Sequence, residues 1–220
     1  VTVLYRLDAP APVIAQRLAA RAGDDPWVGG PVSPGGFAPV VTTGREEVAG
    51  PRPSGEPTRR MIPRLWGVPP PAVGGFGAGG FGAGDPARGV LTVRNLDSPF
   101  WIGLLRNSEF RCLAPATAFM AWGNTVDRAG KRRRYWIGCA DQPLFALAAV
   151  WKDSEIPSYA LLTCPANAAL RAVGRETMPV ILPADPHAQS VWLNGGWDRA
   201  KDLVAPYASS LTTLSSPEDR

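Results

Sequence analysis

The sequence predicts an α+β domain built mainly on antiparallel β-sheet, and three observations carry that expectation. Apolar runs of strand length follow one another across short turns, with few helical repeats between them, which favours antiparallel pairing over a doubly wound sheet. There are 24 Gly and 24 Pro in 220 residues, enough to require long irregular stretches rather than a chain of regular helices. A chain of this length suits one domain that buries about 70% of its unfolded surface, so no disulfides are needed to hold it.

Taken in order, residues 1–7 (Val-Thr-Val-Leu-Tyr-Arg-Leu) predict a first strand. Residues 11–22 carry apolar side chains at helical spacing, opened by Pro10 and Pro12 and ended by Gly23, and predict a helix. Residues 24–36 read as loop, 37–42 as strand, 44–58 as a polar Pro-rich turn and 59–68 as strand. Gly-Gly-Phe-Gly-Ala-Gly occurs twice within 72–89, a composition that cannot build a core and predicts a surface insertion. Its Gly-x-Gly spacing lacks both the preceding apolar strand and the following Lys-Ser or Lys-Thr of a phosphate loop.

Residues 90–95 predict a strand and 100–105 a short helix. The centre of the chain, residues 109–122, is an apolar segment opened by Arg111 and broken at Pro115. It reads as two paired strands with a turn at 115–117. A turn at 123–130 then leads through Lys131, Arg132, Arg133 and Arg134 into a strand at 135–139. Further strands are expected at 144–151, 159–163 and 178–182, and helices at 166–173, 186–193 and 197–204. From Ser209 onward the chain is polar and reads as a fraying tail, which places the domain at 1–208 and the tail at 209–220.

Composition narrows the function classes. Cys112, Cys139 and Cys164 are widely spaced without a Cys-x-x-Cys pair, which indicates buried thiols rather than a disulfide framework or a zinc site. No apolar run approaches the roughly 18 residues of a membrane span, and the start lacks the pattern of a signal peptide, so a cytoplasmic protein without membrane contact is expected. The net charge of +4 and pI near 9.3 lean toward a polyanionic partner. His187, the single histidine, has no second ligand near it in sequence and reads as a surface residue. No metal or cofactor is expected. Ser, His and Asp form no recognisable hydrolase motif.

The central motif Arg111-Cys112-Leu113-Ala114-Pro115-Ala116, followed by Phe119 and Trp122, resembles the centre of the SOS-response-associated peptidase family, the SRAP domain. Other segments match in the same order: Leu65-Trp66-Gly67-Val68-Pro69, Val93-Arg94-Asn95, Thr163 and Met178-Pro179-Val180-Ile181-Leu182. The resemblance spans nearly the whole chain and implies a curved, barrel-like sheet. It also implies a role in handling abasic sites in single-stranded DNA. In that family an N-terminal Cys forms a Schiff base and then a thiazolidine with the ring-opened sugar aldehyde, assisted by a Glu and a His, while an Asn and an Arg hold phosphate or sugar.

Position by position the resemblance implies an impaired member. With Val1 in the place of the initiator Met, Thr2 takes the Cys position, Ala121 the Glu position, and Gly174 or Arg175 the His position. Thr92 stands for the Asn, and Arg94 is retained. The DNA-binding candidates are Arg94, Thr92, Trp66, Thr163, Arg175, Lys131 and Arg132. A guanidinium fork matches phosphate oxygens and an exposed indole can stack on a splayed base. The bland readings are an ion pair for Arg94, a solvated face for the basic run, and core packing for Trp122 and Trp66. Two alternatives stand beside DNA binding. One is reversible imine formation or weak strand cleavage through the Thr2 amine; the other is a scaffold that uses the 72–89 insertion to hold a protein partner.

Overall fold

Thr117 is the corner on which the two sheets meet. The computed structural model describes residues 4–45, 58–70, 89–126, 130–153 and 156–215. Strand β6 (Arg111–Ala116) and strand β7 (Ala118–Val126) are separated by this one residue, one fewer than the shortest common hairpin loop. They therefore do not pair with each other as the sequence predicts. β6 runs between β3 (Phe37–Thr42) and β9 (Phe145–Lys152), whereas β7 runs between β1 (Tyr5–Leu7) and β8 (Arg132–Cys139). Thr117 binds the turn from both sides, its N–H donating to the Arg6 carbonyl at 2.7 Å and its hydroxyl to the same oxygen at 3.1 Å.

The larger sheet closes on itself. β3 pairs antiparallel with β4 (Arg60–Trp66) and with β6, β6 with β9, and β9 with β10 (Ser158–Pro165); β10 then returns to β4 in parallel. β5 (Thr92–Val93) also joins β10 in parallel, and β11 (Thr177–Pro179) joins it antiparallel. The α+β class and the curled, barrel-like sheet expected from the sequence are both present. β6 is buried at every position and β9 at all but Lys152, the near-continuous apolar pattern of strands covered on both faces.

Short helices surround the sheets: α1 (Ala11–Arg17), α2 (Ile102–Arg106), α3 (Ala168–Ala172), α4 (Pro186–Asn194) and α5 (Trp197–Ala200). α4 starts at Asp185, whose carboxylate accepts from the His187 and Ala188 N–H groups, offsetting two orphan donors of the first turn. It lays the fully buried Trp192 on β6, where the indole N–H donates to the Cys112 carbonyl at 2.9 Å. Arg111, which the sequence marks only as the start of a strand, is fully buried here. Its guanidinium donates to the Gly195 carbonyl and lies 5.7 Å from the Trp192 ring centre. Burial pushes its pKa down to about 10, so it remains a cation at neutral pH.

The smaller sheet has the order β12-β8-β7-β1-β2, with β2 at Gly30–Val32 and β12 at Thr212–Ser215. Both edge strands were missed by periodicity. β2 is only three residues long, and β12 is made of Thr, Leu and Ser within the stretch expected to fray; its register against Trp136 to Cys139 carries ordered structure through residue 215. The 90–95 strand shortens to β5 plus a bridge at Val90, and the 178–182 strand to β11 plus a bridge at Ile181.

The base of the Gly-rich insertion is tightly built, while residues 71–88 lie outside the described residues. Val68 and Val90 exchange both backbone hydrogen bonds, at 3.1 and 2.7 Å. Gly67 and Gly89 meet backbone to backbone there: a Cβ on Gly89 would stand 2.6 Å from the Gly67 carbonyl carbon. Gly67 also has φ +131°, a conformation open to glycine and costly for other residues.

Candidate nucleic-acid interface

A cleft of about 430 Å³ opens beside β5, lined by Val90, Leu91, Thr92, Arg94, Asn95, Ser98 and Trp101. Val90, Leu91 and the nearly buried Trp101 make an apolar floor, while Thr92, Arg94, Asn95 and Ser98 supply the polar rim. That combination suits a ligand with a flat apolar part and charged or hydroxylated edges. The Asn95 side chain accepts from the Asp97 N–H at 3.0 Å, and the Ser98 carbonyl accepts from Trp101 and Ile102, so the loop after β5 holds its own shape. Arg94 is exposed, and among the described residues no carboxylate pairs with it. Sequence reasoning found Thr92 and Arg94 here. It missed Asn95, Ser98 and Trp101 as lining residues, because nothing in their spacing says that the 94–101 loop folds back over β5.

Thr163 reaches the same region from β10, but its hydroxyl donates to the Val93 carbonyl at 3.0 Å. It therefore fixes β5 in place. Trp66 departs from its expected role as a stacking platform. It is fully buried, donates its indole N–H to the Leu91 carbonyl at 3.1 Å and packs edge-on against Tyr5 with centroids 5.2 Å apart. A base cannot stack on a ring with no open face. Trp66 instead supports the floor of the cleft from beneath.

The positions matched to the family's proton-transfer residues gather at a second place, where β7 meets the turn after α3. The Asn124 N–H donates to the Val173 carbonyl at 3.1 Å. α3 ends there with Gly174 in the left-handed region at φ +82°, its N–H bonded to the Arg171 carbonyl and the Arg175 N–H bonded to the Leu170 carbonyl. This pair of bonds is the glycine-terminated helix end that satisfies orphan carbonyls. A Cβ on Gly174 would stand 2.6 Å from Asn124 side-chain atoms, so this position is filled by a backbone requirement. Arg175 is the residue that faces β7: its Nη1 donates to the Trp122 carbonyl at 3.5 Å.

Ala121 is 5% exposed and lies on the inner face of β7, opposite Tyr135 of β8. The Leu4 carbonyl accepts from the Met120 N–H at 2.9 Å, which brings the start of the described chain beside Ala121. Thr2 lies outside the described residues. Lys131 and Arg132 are exposed at the far end of β8, with Arg132 opposite Val126. Thus Thr92, Arg94 and Thr163 form one cluster, Ala121, Gly174 and Arg175 another, and β10 connects them by pairing with β5 and β11. Trp122, expected in the core, is only half-buried.

The three cysteines are buried. Burial raises the Cys112 thiol far above its ordinary range, Cys139 to about 12 and Cys164 to about 11, leaving all three protonated and poor nucleophiles at neutral pH. Tyr5 and Tyr159 share a buried hydroxyl–hydroxyl hydrogen bond across the two sheets, and burial drives both phenols well above their ordinary value. These groups hold the core together and offer no ready acid or base. No helix among the described residues is long and apolar enough to cross a membrane.

Comparison with known proteins agrees with this architecture. The family model described as SOS response associated peptidase (SRAP) matches residues 32–216. A crystal structure of a protein from Bacteroides thetaiotaomicron superposes with a TM-score of 0.71 at 16% identity, covering 97% of this chain and 91% of that one. One from Bordetella bronchiseptica gives 0.71 at 20% identity over 97% and 98%. A phage-related protein from Bordetella bronchiseptica gives 0.67 at 16% identity over 97% and 93%. At these identities the solved structures speak for the fold. Among curated protein sequences no relative matches.

Proposed function

Since the chain belongs to the SOS response associated peptidase (SRAP) family, we propose that it serves the DNA damage response by binding single-stranded DNA, abasic DNA included, in the cleft beside β5. The observation that carries this reading is Arg94. It is an exposed guanidinium on the rim of an apolar-floored cleft, without a described carboxylate to neutralise it. Its fork can hold a phosphate while a base or sugar occupies the floor. Thr92 offers a hydroxyl to the same ligand, and Arg175 adds positive charge near the other end of β10.

The lasting covalent crosslink is absent in this reading. Ala121 has no proton to give, Gly174 has no side chain, and the guanidinium of Arg175 offers donors but no acceptor. Thr2 brings a hydroxyl in place of a thiol, and an oxazolidine ring hydrolyses far more readily than its sulfur analogue. Fluorescence anisotropy with a single-stranded oligonucleotide across a salt series tests the reading. Binding that weakens with salt, and about tenfold further in Arg94→Ala, is the expected result; no salt-sensitive binding by the parent protein overturns it.

A second reading keeps transient chemistry, favoured by the hydrogen bond from the Met120 N–H to the Leu4 carbonyl, which sets Leu4 beside Ala121. A free amine at Thr2 would condense with the abasic aldehyde and be released by hydrolysis. Borohydride reduction on an abasic oligonucleotide then yields an adduct mapped to Thr2. Its absence from protein whose first residue is shown to be Thr2 removes this reading. Replacing residues 71–88 with a short linker tests a contact role for the insertion: a lost protein partner with DNA binding intact would favour it.

A further inference from the structure

The outer face of the smaller sheet holds cations and indoles in alternation. On β7 and β8, Trp122 lies opposite Arg134 and Met120 opposite Trp136, while Arg6 of β1 lies opposite Ala118. Cross-strand partners and residues two apart share a face, so these side chains stand together on one side of the sheet. The other side carries Tyr5, Phe119 and Ile137, all fully buried in the core.

The side chains touch as well as alternate. The Arg134 guanidinium lies 5.8 Å from the Trp122 ring centre, and that of Arg6 lies 5.5 Å from Trp136. To reach Trp136 from β1, Arg6 must cross β7, over Met120, which is left only 4% exposed. Arg134 is exposed and Arg6, Trp122 and Trp136 are half-buried, so the rings keep area open to solvent. Arg6 also pairs with Asp8 at 3.0 Å, a surface contact that salt screens. At one end of the row the Trp122 backbone receives Arg175 from the turn after α3.

We propose that this row, Arg6–Trp136–Arg134–Trp122, is a track for single-stranded nucleic acid, continuing the strand path away from the β5 cleft past Arg175. The inference rests on the single-strand binding of the preceding section and adds a second contact surface to it. The chemistry selects the partner. Indole faces take unstacked bases of any sequence, and stacked arginines add phosphate contacts and cation–π attraction; a duplex keeps its bases stacked inside and gains nothing from the rings.

Binding of a short oligothymidylate of about 5 nucleotides and a long one of about 20 spans the range of single-strand site sizes and tests the track. The parent protein, Arg94→Ala, Arg6→Ala/Arg134→Ala and Trp136→Leu are compared by anisotropy, each checked for an unchanged thermal melt. The double arginine variant is expected to lose about tenfold with the long oligonucleotide and to lower its salt slope by about 1.4, the release expected for two phosphate contacts on a single strand. The short oligonucleotide is expected to bind as before. Trp136→Leu removes the ring while keeping apolar volume, and a similar loss confined to the long oligonucleotide is expected.

Unchanged long-oligonucleotide binding in the double variant overturns the track, as does an equal loss with both lengths. A duplex of the same length showing the same affinity and the same loss also overturns it, by showing attraction to any polyanion. If Arg94→Ala leaves both lengths unaffected while the double variant loses the long one, the cleft reading fails and the track stands. Absence of binding by the parent protein removes both.

Discussion

The closed ring of strands around β6 and β9 and the open sheet around β7 and β8 use the same amino-acid vocabulary to opposite ends. In and around the ring the tryptophans are turned inward, and each indole N–H finds a backbone acceptor. Trp192 donates to Cys112, Trp151 donates to the Glu109 carbonyl, and even Arg111 is sealed against Gly195 and Trp192. In the open sheet the same residue types stand half in water, as Arg134 over Trp122 and Arg6 over Trp136. A tryptophan or an arginine in this chain is therefore informative only once its face is known. On the proposed reading, binding belongs where these side chains stay open to solvent.

That contrast can be broken most severely from the inside. Trp192→Ala removes a fully buried ring and leaves the Cys112 carbonyl without its donor, and is expected to lower unfolding stability by about 3–5 kcal/mol, measured by urea denaturation. Arg94→Ala is the opposite case, an exposed rim residue. It is expected to weaken oligonucleotide binding about tenfold while shifting stability by less than about 0.5 kcal/mol. If the two variants exchange these effects, the division between a structural ring and a binding surface fails.

The cysteines sharpen the comparison by chemistry. Cys112 lies on β6, Cys164 on β10 and Cys139 at the inner end of β8, and burial raises all three thiols. Ellman's reagent at mildly alkaline pH is expected to titrate none of them in the native protein and all of them in urea. Because the folded values lie above the ordinary 9.0, the unfolded chain ionises first as pH rises. The native state is favoured fully below about pH 9 and loses that advantage as pH climbs through about 11 to 12. Tyr207, raised to about 12 by burial and its hydrogen bond to Asp141, acts in the same direction. A melting temperature that holds level up to about pH 9 and then declines is the expected profile; a rise above pH 9 contradicts the burial of these groups.

The smallest effect is expected at the insertion. Replacing residues 71–88 with a short Gly-Ser linker leaves the Val68–Val90 bridge in place and is expected to change stability by no more than about 1 kcal/mol. Oligonucleotide binding should survive. Loss of binding would assign part of the interface to the insertion, and loss of a protein partner with DNA binding intact would favour a scaffold role.

The sequence showed the ring more fully than the open sheet, for a physical reason. β9 and β10 are long apolar runs, and α4 carries its Pro and Asp start signals, so pattern alone placed them. β6 and β7 were placed as strands but wrongly paired, because pairing depends on the single-residue corner at Thr117 rather than on either strand's composition. β2 and β12 are short edge strands whose order comes from hydrogen bonding to a neighbour. At the candidate site, Arg94 and Arg175 were legible through motif order. Trp66 was misjudged because a Trp before Gly and Pro looks exposed in one dimension, and Arg6 was overlooked because its meaning lies in a ring 130 positions away on β8.

The contact between Gly67 and Gly89 has a further consequence. Whatever sequence connects the two departs and returns through a neck too narrow for a side chain, so its length is uncoupled from the registers of β4, β5 and β10. Insertions and replacements there are expected to leave those registers in place, which makes this neck the natural port for grafting a reporter or affinity handle beside the cleft. A Cβ on Gly89 would force the neck apart, so the freedom of the sequence between the glycines depends on both remaining as they are.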